Sequence, residues 1–164
     1  MIIKELTPAN SSDYKSFFLG GLKFHEDNFR ISIADEMLAP FPTEGTQDSF
    51  TLGAFDSEKL VGVVSFQREG RDREKLRHKA TLFRMYVDQR YHGKGIGRLL
   101  ITNVINTAIA LQDIEQINLT VISGNAPAKA LYEKFGFTTF STEKNAIKWK
   151  GKYHTEEQMV LFLQ

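Results

Sequence analysis

The first third of the chain has a hydrophobic pattern that predicts one strand, a helix and a less regular helical stretch. Residues Ile2 to Leu6 fit a short strand. The polar run from Asn10 to Asp13 offers several N-cap candidates for a helix that buries aromatic residues behind it. Residues 23–38 have an irregular helical pattern, and the proline-containing segment 39–45 predicts a loop before the next strand.

The middle of the chain predicts three strands. Two apolar runs between Phe50 and Phe66 flank a polar stretch at 56–59, which is the pattern of an antiparallel hairpin. The mixed-charge run 68–75 follows, and we expect it to be a solvated loop. Residues 81–88 then alternate in the period of a third strand, which places Phe83, Met85 and Val87 on one face and Leu82, Arg84 and Tyr86 on the other.

The last part of the chain predicts a helix, a strand, a second helix and two closing strands. Apolar residues recur at helical spacing from Ile96 to Leu111, and a shorter amphipathic helix is expected from Ala126 to Phe135. Alternating residues around 117–121 fit a strand between these helices, and a strand pair is expected around 138–140 and 159–163. The order of elements predicts a protein that contains both helices and strands (α/β in the broad sense, α+β in detail), with a mixed sheet and helices on its faces.

Composition narrows the classes of protein. The 164 residues contain no repeat and no linker, so we expect one domain spanning residues 1–164. Lys and Arg number 21 against 20 Asp and Glu, which gives a formal net charge of +1 and argues against a nucleic-acid partner. The chain has no cysteine, which excludes disulfides, a thiol nucleophile and thiolate metal sites.

The sequence has no pattern typical of a membrane span, a secretory signal or a metal site. No apolar run reaches the roughly 20 residues that a bilayer-spanning helix needs, so no membrane partner is expected. Charge at Lys4 and Glu5 argues against a secretory signal, and the sequence predicts a cytoplasmic protein. The four histidines have no metal-ligand spacing, and we predict no metal.

One turn combines glycines with the start of a helix. Gly93, Gly95 and Gly97 follow the strand that ends near Val87, and the helix begins at once. Glycine allows close backbone approach, and a helix N-terminus favours anions, so the pattern is typical of a phosphate-binding turn. The dinucleotide fingerprint would need glycine or alanine at Arg98, and a Walker loop would need Ser or Thr where Gly95 stands. A turn without any ligand remains the alternative.

A second motif follows the glycine turn and allows it to be interpreted. Residues 125–137 read N-x-x-A-x-x-L-Y-x-x-x-G-F, beginning at Asn125 and including Tyr132. Together with the glycine turn, this block resembles the GCN5-related N-acetyltransferase (GNAT) superfamily. The resemblance covers most of the chain, and its specific signal lies in residues 82–137.

The resemblance implies a GNAT-like fold with a central mixed, mostly antiparallel sheet that splays between strands 4 and 5, and helices on both faces. It also implies acetyl-coenzyme A (acetyl-CoA) as co-substrate. Backbone groups of Met85 and Val87 would contact the pantetheine arm, as would Asn125, which can also cap the helix that follows it. The pyrophosphate would be wrapped by the turn residues His92, Gly93, Lys94, Gly95, Ile96, Gly97 and Arg98. His92 departs from the Gln or Arg that opens the family's motif.

The implied reaction is direct acetyl transfer to a primary amine. Tyr132 matches the tyrosine that commonly protonates the departing thiolate, although a purely packed aromatic is the alternative. Thr120 stands where some relatives have a glutamate that acts as the general base. The residue that would accept the amine proton in this chain is therefore not assigned. Other candidates are Glu26, Glu44, His154 and Glu156, each of which has a simpler interpretation as a surface residue.

The partners implied are acetyl-CoA and an amine acceptor of a small molecule or peptide, and a homodimer is left open. The acceptor is not identified by the sequence. Departures at His92 and Thr120 motivate a second hypothesis, a non-catalytic sensor that binds CoA or acyl-CoA without turnover.

Overall fold

The computed structural model describes all residues from 1 to 164. Four α-helices and seven strands make up the fold, and three short 3-10 turns lie at Pro8–Asn10, Glu26–Asn28 and Gln89–Tyr91. The strands are β1 (Ile2–Leu6), β2 (Ser49–Asp56), β3 (Lys59–Arg68), β4 (Lys79–Val87), β5 (Gln116–Ile122), β6 (Thr138–Trp149) and β7 (Lys152–Phe162). The helices are α1 (Ser11–Phe24), α2 (Ile33–Leu38), α3 (Ile96–Ala110) and α4 (Ala126–Lys134).

All seven strands form one sheet in the order β1-β2-β3-β4-β5-β7-β6. Every neighbouring pair is antiparallel except β4 and β5, which are parallel. These two strands pair only at their beginnings, from Lys79 opposite Gln116 to Thr81 opposite Asn118. Past that point they diverge and leave a gap in the middle of the sheet. The mixed, mostly antiparallel sheet that splays between strands 4 and 5 is therefore confirmed.

Helices cover both faces of the sheet because its central strands are apolar on both sides. Val64 belongs to a core cluster that includes Leu100 and Val104 of α3. The adjacent Val63 belongs to a second cluster with Tyr14 and Phe18 of α1. Successive residues of β3 thus point to opposite faces, as strand geometry requires. None of the helices combines the length and the apolarity that crossing a membrane would need.

The structure differs from the sequence prediction inside β4. The register passes from Val63 opposite Tyr86 to Ser65 opposite Phe83, so β4 has one residue more than β3 in this interval. Arg84 takes up the extra length with a φ of 51°, which is a left-handed conformation. The expected alternation over 81–88 is wrong at this β-bulge, because simple periodicity carries no signal for an inserted residue.

Two further segments differ from expectation. The closing strands are much longer than the predicted pairs 138–140 and 159–163, because the hairpin continues through polar, largely exposed residues. Arg68 is not part of a solvated loop. It ends β3 with 6% of its surface exposed and forms ion pairs with Asp48 and Asp113.

Candidate active site

A cavity of about 710 Å³ lies where β4 and β5 diverge. This volume is in the range of pockets that hold cofactors and small substrates. Its walls come from both strands, from the glycine turn after β4, from α4 and from the loop at residues 25–31. One cavity therefore joins two regions. We call them the glycine-turn side (residues 87–98 and 125–132) and the ion-pair side (residues 25–36 and 149–156, with Arg84). On the ion-pair side the cavity itself is lined by residues 25, 28–31 and 84, whereas Glu36 and residues 149–156 lie behind them.

The structure brings almost all of the predicted site residues to this cavity. Lys94 is the exception, and its ammonium lies 4.6 Å from the centre of the Tyr91 ring instead. The predicted residues that line the cavity are Met85, Val87, His92, Gly93, Gly95, Ile96, Gly97, Arg98, Asn125 and Tyr132. Thr120 lines it as well.

The glycine turn presents unpaired backbone donors. Gly93 and Gly95 have φ values of 76° and 78°, which residues with a Cβ rarely adopt. Gly95 is the N-cap of α3, where no side chain accepts a hydrogen bond from the helix start. The first backbone bond of the helix runs from Leu99 N–H to the Gly95 carbonyl at 3.0 Å. The N–H groups of residues 96–98 therefore have no helical acceptor and border the cavity. This arrangement suits a phosphate group.

Close packing fixes the turn against its neighbours. A Cβ on Gly97 would lie 2.9 Å from Leu131 Cδ2 and 3.2 Å from Met85 Cε, so α3 approaches α4 and β4 closely at this position. His92 Nε2 lies 2.8 Å from the Val87 carbonyl and donates a hydrogen bond to it. The imidazole therefore ties the turn back to the end of β4.

Helix α4 supplies the other two predicted residues. Asn125 is its N-cap, and its side-chain oxygen accepts a hydrogen bond from Ala128 N–H at 3.4 Å. Tyr132 is 6% exposed and packs edge-on against Phe137, with ring centres 5.8 Å apart. Burial raises the pKa of the Tyr132 hydroxyl well above its ordinary value. Tyr132 is thus both a packed aromatic and a protonated phenol at the cavity wall.

The four residues considered as bases have different surroundings. Glu26 is paired with Lys150 at 2.8 Å, and Glu44 with Arg71 at 3.0 Å, both at the surface. His154 Nε2 lies 3.7 Å from Asp27. Glu156 is buried, with 3% of its surface exposed, and its Oε2 lies 2.6 Å from Arg30 Nε. The expectation that Glu156 is a surface residue is wrong, because β5 and β6 flank it on both sides in the sheet.

The ion-pair side contains a second buried carboxylate that sequence reasoning missed. Glu36 is fully buried, and its Oε2 accepts a hydrogen bond from Arg84 at 2.5 Å. The Arg84 guanidinium also lies 5.2 Å from the centre of the Phe18 ring and 3.5 Å from the Tyr14 hydroxyl. Burial raises the pKa of Tyr14 to about 12. A charged residue between Phe83 and Met85 in an apolar strand was the one signal that could have indicated this pair.

The chain is similar in sequence to known acetyltransferases. Residues 16–137 match the model of the acetyltransferase (GNAT) family. A spermine/spermidine N(1)-acetyltransferase of Bacillus subtilis is 30% identical over 103 residues, which cover 59% of this chain and 68% of that protein. The L-amino acid N-acetyltransferase AaaT of Escherichia coli is 31% identical over 94 residues, covering 57% of this chain and 56% of that protein.

Solved structures with the same fold cover the chain from end to end. A GNAT-family acetyltransferase from Streptococcus pneumoniae has a TM-score of 0.85 and 24% identity over 99% of both chains. The Salmonella typhimurium protein yncA, solved with its cofactor acetyl-CoA, has a TM-score of 0.80 and 19% identity, covering 100% of this chain and 94% of that one. At these identities the structural likeness concerns the fold.

Proposed function

The chain belongs to the GNAT acetyltransferase family, and from this premise we propose that it transfers the acetyl group of acetyl-CoA to a primary amine of a small molecule or peptide. The observation that carries the proposal is the uncapped start of α3, which borders the same cavity as the buried phenol of Tyr132. A phosphate-binding turn and a proton donor within one cavity are what this transfer requires. The sensor alternative has no support among relatives named as N-acetyltransferases.

In this proposal the donor is held mainly by backbone groups. The pyrophosphate would accept hydrogen bonds from the free N–H groups at residues 96–98, with the Arg98 side chain close by. A hydrogen bond to a charged group contributes about 1.5–3 kcal/mol, whereas the helix dipole alone contributes about 0.3–1 kcal/mol. The backbone N–H groups would therefore supply most of the affinity for acetyl-CoA. The pantetheine arm would lie along the edge of β4 that β5 leaves unpaired, near Met85 and Val87.

The proposed chemistry is direct attack of the neutral amine on the thioester carbon. The C–N bond forms, the C–S bond breaks, and the nitrogen loses one proton to solvent water. The departing thiolate takes a proton from the Tyr132 hydroxyl, which would act as general acid. A phenol is protonated at neutral pH, and burial raises the pKa of Tyr132 further, so transfer of its proton to the thiolate requires the hydroxyl to be positioned against the departing sulfur. Tyrosinate is then reprotonated from solvent.

Donor binding is tested by calorimetric titration with acetyl-CoA and with an acetylated pantetheine fragment that lacks the pyrophosphate. We expect the nucleotide form to bind at least tenfold more tightly, which corresponds to about one charged hydrogen bond. Equal affinity for both forms would contradict the role of the turn. No binding of either form would remove the basis of the proposed function.

The role of Tyr132 is tested by Tyr132→Phe, with Tyr153→Phe as control. Tyr153 is 56% exposed on β7 and does not line the cavity. General acid catalysis contributes about 10²–10⁴-fold, so we expect kcat for thiol release to fall by about that factor in Tyr132→Phe. The affinity for acetyl-CoA should be kept, and the control should match the wild type. An unchanged kcat in Tyr132→Phe would rule out the general-acid assignment.

A further inference from the structure

Helix α2 buries a charged residue and exposes apolar ones. Glu36 is its only buried residue, whereas the neighbouring Met37 and Leu38 are 63% and 90% exposed. A helix normally packs through an apolar face, and glutamate side chains are mostly exposed. The packing of α2 therefore points to a role for Glu36, since burial of an apolar face does not account for it.

Contacts at both ends of α2 fix the position of Glu36. The Ser32 hydroxyl caps the start of the helix, and Lys15 of α1 donates a hydrogen bond to the Ala39 carbonyl just past its end, at 2.9 Å. From this position the Glu36 carboxylate accepts a hydrogen bond from Arg84 Nη1. The ion pair therefore ties β4 to a helix that is itself anchored.

Arg84 forms the bulge of β4 and is the only residue of that strand with a positive φ, at 51°. Residues other than glycine rarely adopt this conformation, and it persists only where surrounding contacts enforce it. The guanidinium contacts Glu36, the Phe18 ring at 5.2 Å and the Tyr14 hydroxyl at 3.5 Å. Helices α1 and α2 together thus hold the side chain of the one residue of β4 in a left-handed conformation.

The bulge lies where β4 has separated from β5. Pairing with β5 extends only as far as Thr81, and on the other side Arg84 and Met85 stand opposite the single residue Val64 of β3. A bulge disrupts the backbone ladder and bends the strand that carries it. Both Arg84 and Met85 line the cavity. The conformation at Arg84 therefore determines where the backbone of this segment lies in the cavity wall.

We propose that Glu36 is a positioning residue, which acts through Arg84 to hold the bulged segment of β4 against the acetyl group of the bound donor. The inference rests on the proposed function, in which acetyl-CoA lies along this edge of β4. Attack by the amine places negative charge on the thioester oxygen, and preorganised backbone N–H groups stabilise such charge. Misplacement by about 1 Å can lower a rate about 100-fold. Glu36 does not line the cavity, so it acts without touching the substrate.

The first test separates activity from stability. Replacing both members of a buried pair with apolar residues is often neutral for stability. We therefore expect Arg84→Met/Glu36→Leu to keep a melting temperature close to that of the wild type, but to release thiol from bound acetyl-CoA about 10–100-fold more slowly, with propylamine as acceptor. The dissociation constant for acetyl-CoA should change less than about twofold, because the N–H groups of the glycine turn are unaltered.

Single variants of Glu36 keep the arginine, which itself lines the cavity. Glu36→Leu removes the partner of Arg84 and should slow thiol release about tenfold or more. Glu36→Gln retains an oxygen that accepts the hydrogen bond, so it should keep most of the wild-type rate. The control is Thr51→Val, in which a fully buried hydroxyl 2.8 Å from those of Thr43 and Ser65 is lost. This variant should lower the melting temperature and leave the rate unchanged.

The bulge itself is observed by NMR of protein labelled with ¹⁵N-methionine, because the chain has only four methionines and one of them follows Arg84. In Glu36→Leu the amide signal of Met85 should move, while that of Met159, buried in β7, should stay. In Thr51→Val both signals should stay.

A structural ion pair without influence on the site predicts an unchanged Met85 signal and an unchanged rate in Glu36→Leu, and that result would overturn this inference alone. Equal loss of rate in Glu36→Leu and Thr51→Val would overturn it as well, because the loss would then follow stability. Absence of thiol release by the wild type would count against the proposed function and would remove this inference with it.

Discussion

The two sides of the cavity are built in opposite ways. On the glycine-turn side, the polar groups proposed to hold the ligand are backbone N–H groups. The hydrogen bond between His92 and Val87 and the close packing of Gly97 against Leu131 hold the turn that carries them. On the ion-pair side, the groups are charged side chains that meet across long stretches of chain. Arg84 and Glu36 are separated by 48 residues along the sequence. One side depends on local conformation, and the other depends on the completed fold.

This difference has a functional consequence under the proposed activity. Backbone N–H groups do not change when side chains change. The glycine-turn side therefore suits an acetyl donor that is always the same, acetyl-CoA. Charged side chains are replaced by single substitutions, so the ion-pair side suits recognition of one acceptor among many. The bulge at Arg84 links the two, because the same strand carries Met85 and Val87 toward the glycine turn.

The largest effect is expected from breaking the ion pair at Arg84. Arg84→Met leaves the Glu36 carboxylate buried without a cation, and its Oε1 already lacks a partner. Removing one member of a buried pair costs about 3–5 kcal/mol. Because the Arg84 side chain is 18% exposed, we expect the free energy of unfolding to fall by about 3 kcal/mol. Urea denaturation measures this change.

The double variant Arg84→Met/Glu36→Leu is the matched control. Replacing both members of a buried pair with apolar residues is often neutral, so most of the lost stability should return. A double variant as unstable as Arg84→Met would show that the arginine acts through its bulge conformation rather than through its charge.

The next effect concerns the glycine-turn side. Gly95 and Gly45 have φ values of 78° and 75°, and a Cβ at either would meet no atom within 4 Å. Alanine at each position should therefore cost a similar free energy of unfolding, about 1–2 kcal/mol. Only Gly95→Ala should also weaken acetyl-CoA binding, by a factor of about 10 or more if one N–H contact is lost. Calorimetry on both variants separates backbone strain from ligand binding, and equal affinities would exclude a role for Gly95.

The same contrast explains how much the sequence could predict. The splayed sheet was implied only by the resemblance to the GNAT superfamily. Most elements and the residues of the glycine-turn side were predictable, because local periodicity and two short motifs indicate them. Asn125 was expected to cap α4, and it does. These features depend on residues within a few positions of one another.

The ion-pair side was not predictable in the same way. No local pattern indicates that Glu36 is buried against Arg84, or that Arg30 reaches Glu156 over more than a hundred residues. Glu156 was named as a candidate but expected at the surface, because glutamate side chains are mostly exposed. Its burial depends on where β6 and β7 lie in the sheet, and that order comes from the tertiary fold.

A pH titration compares one carboxylate from each side, Asp88 of the glycine-turn side and Asp35 of the ion-pair side. Hydrogen bonds from Arg90 lower the pKa of Asp88, and those from the Ser32 backbone and side chain lower the pKa of Asp35. A folded-state pKa below the unfolded value of about 3.9 means that the unfolded chain binds protons first. Each carboxylate thus contributes stability above about pH 4, and the contribution is lost as pH falls through the folded pKa. The free energy of unfolding should fall less steeply with decreasing pH in both variants than in the wild type. The effect should be larger in Asp88→Asn than in Asp35→Asn, because Asp88 is buried and Asp35 is exposed. Denaturation from pH 6 to pH 2 checks the order, and identical curves would contradict it.

The smallest effects come from two helix caps, one on each side. Ser32 accepts a hydrogen bond from Asp35 N–H at 3.1 Å, and Asp35 accepts one from Ser32 N–H at 2.8 Å. Asn125 accepts only the longer bond from Ala128 N–H. Loss of a cap costs about 0.5–2 kcal/mol, so Ser32→Ala should lower the free energy of unfolding by about 1 kcal/mol and Asn125→Ala by somewhat less. Only Asn125→Ala should weaken acetyl-CoA binding, because Asn125 lines the cavity and Ser32 does not. If both variants kept full affinity, Asn125 would act as a cap alone, and the donor would depend on the glycine turn without help from the start of α4.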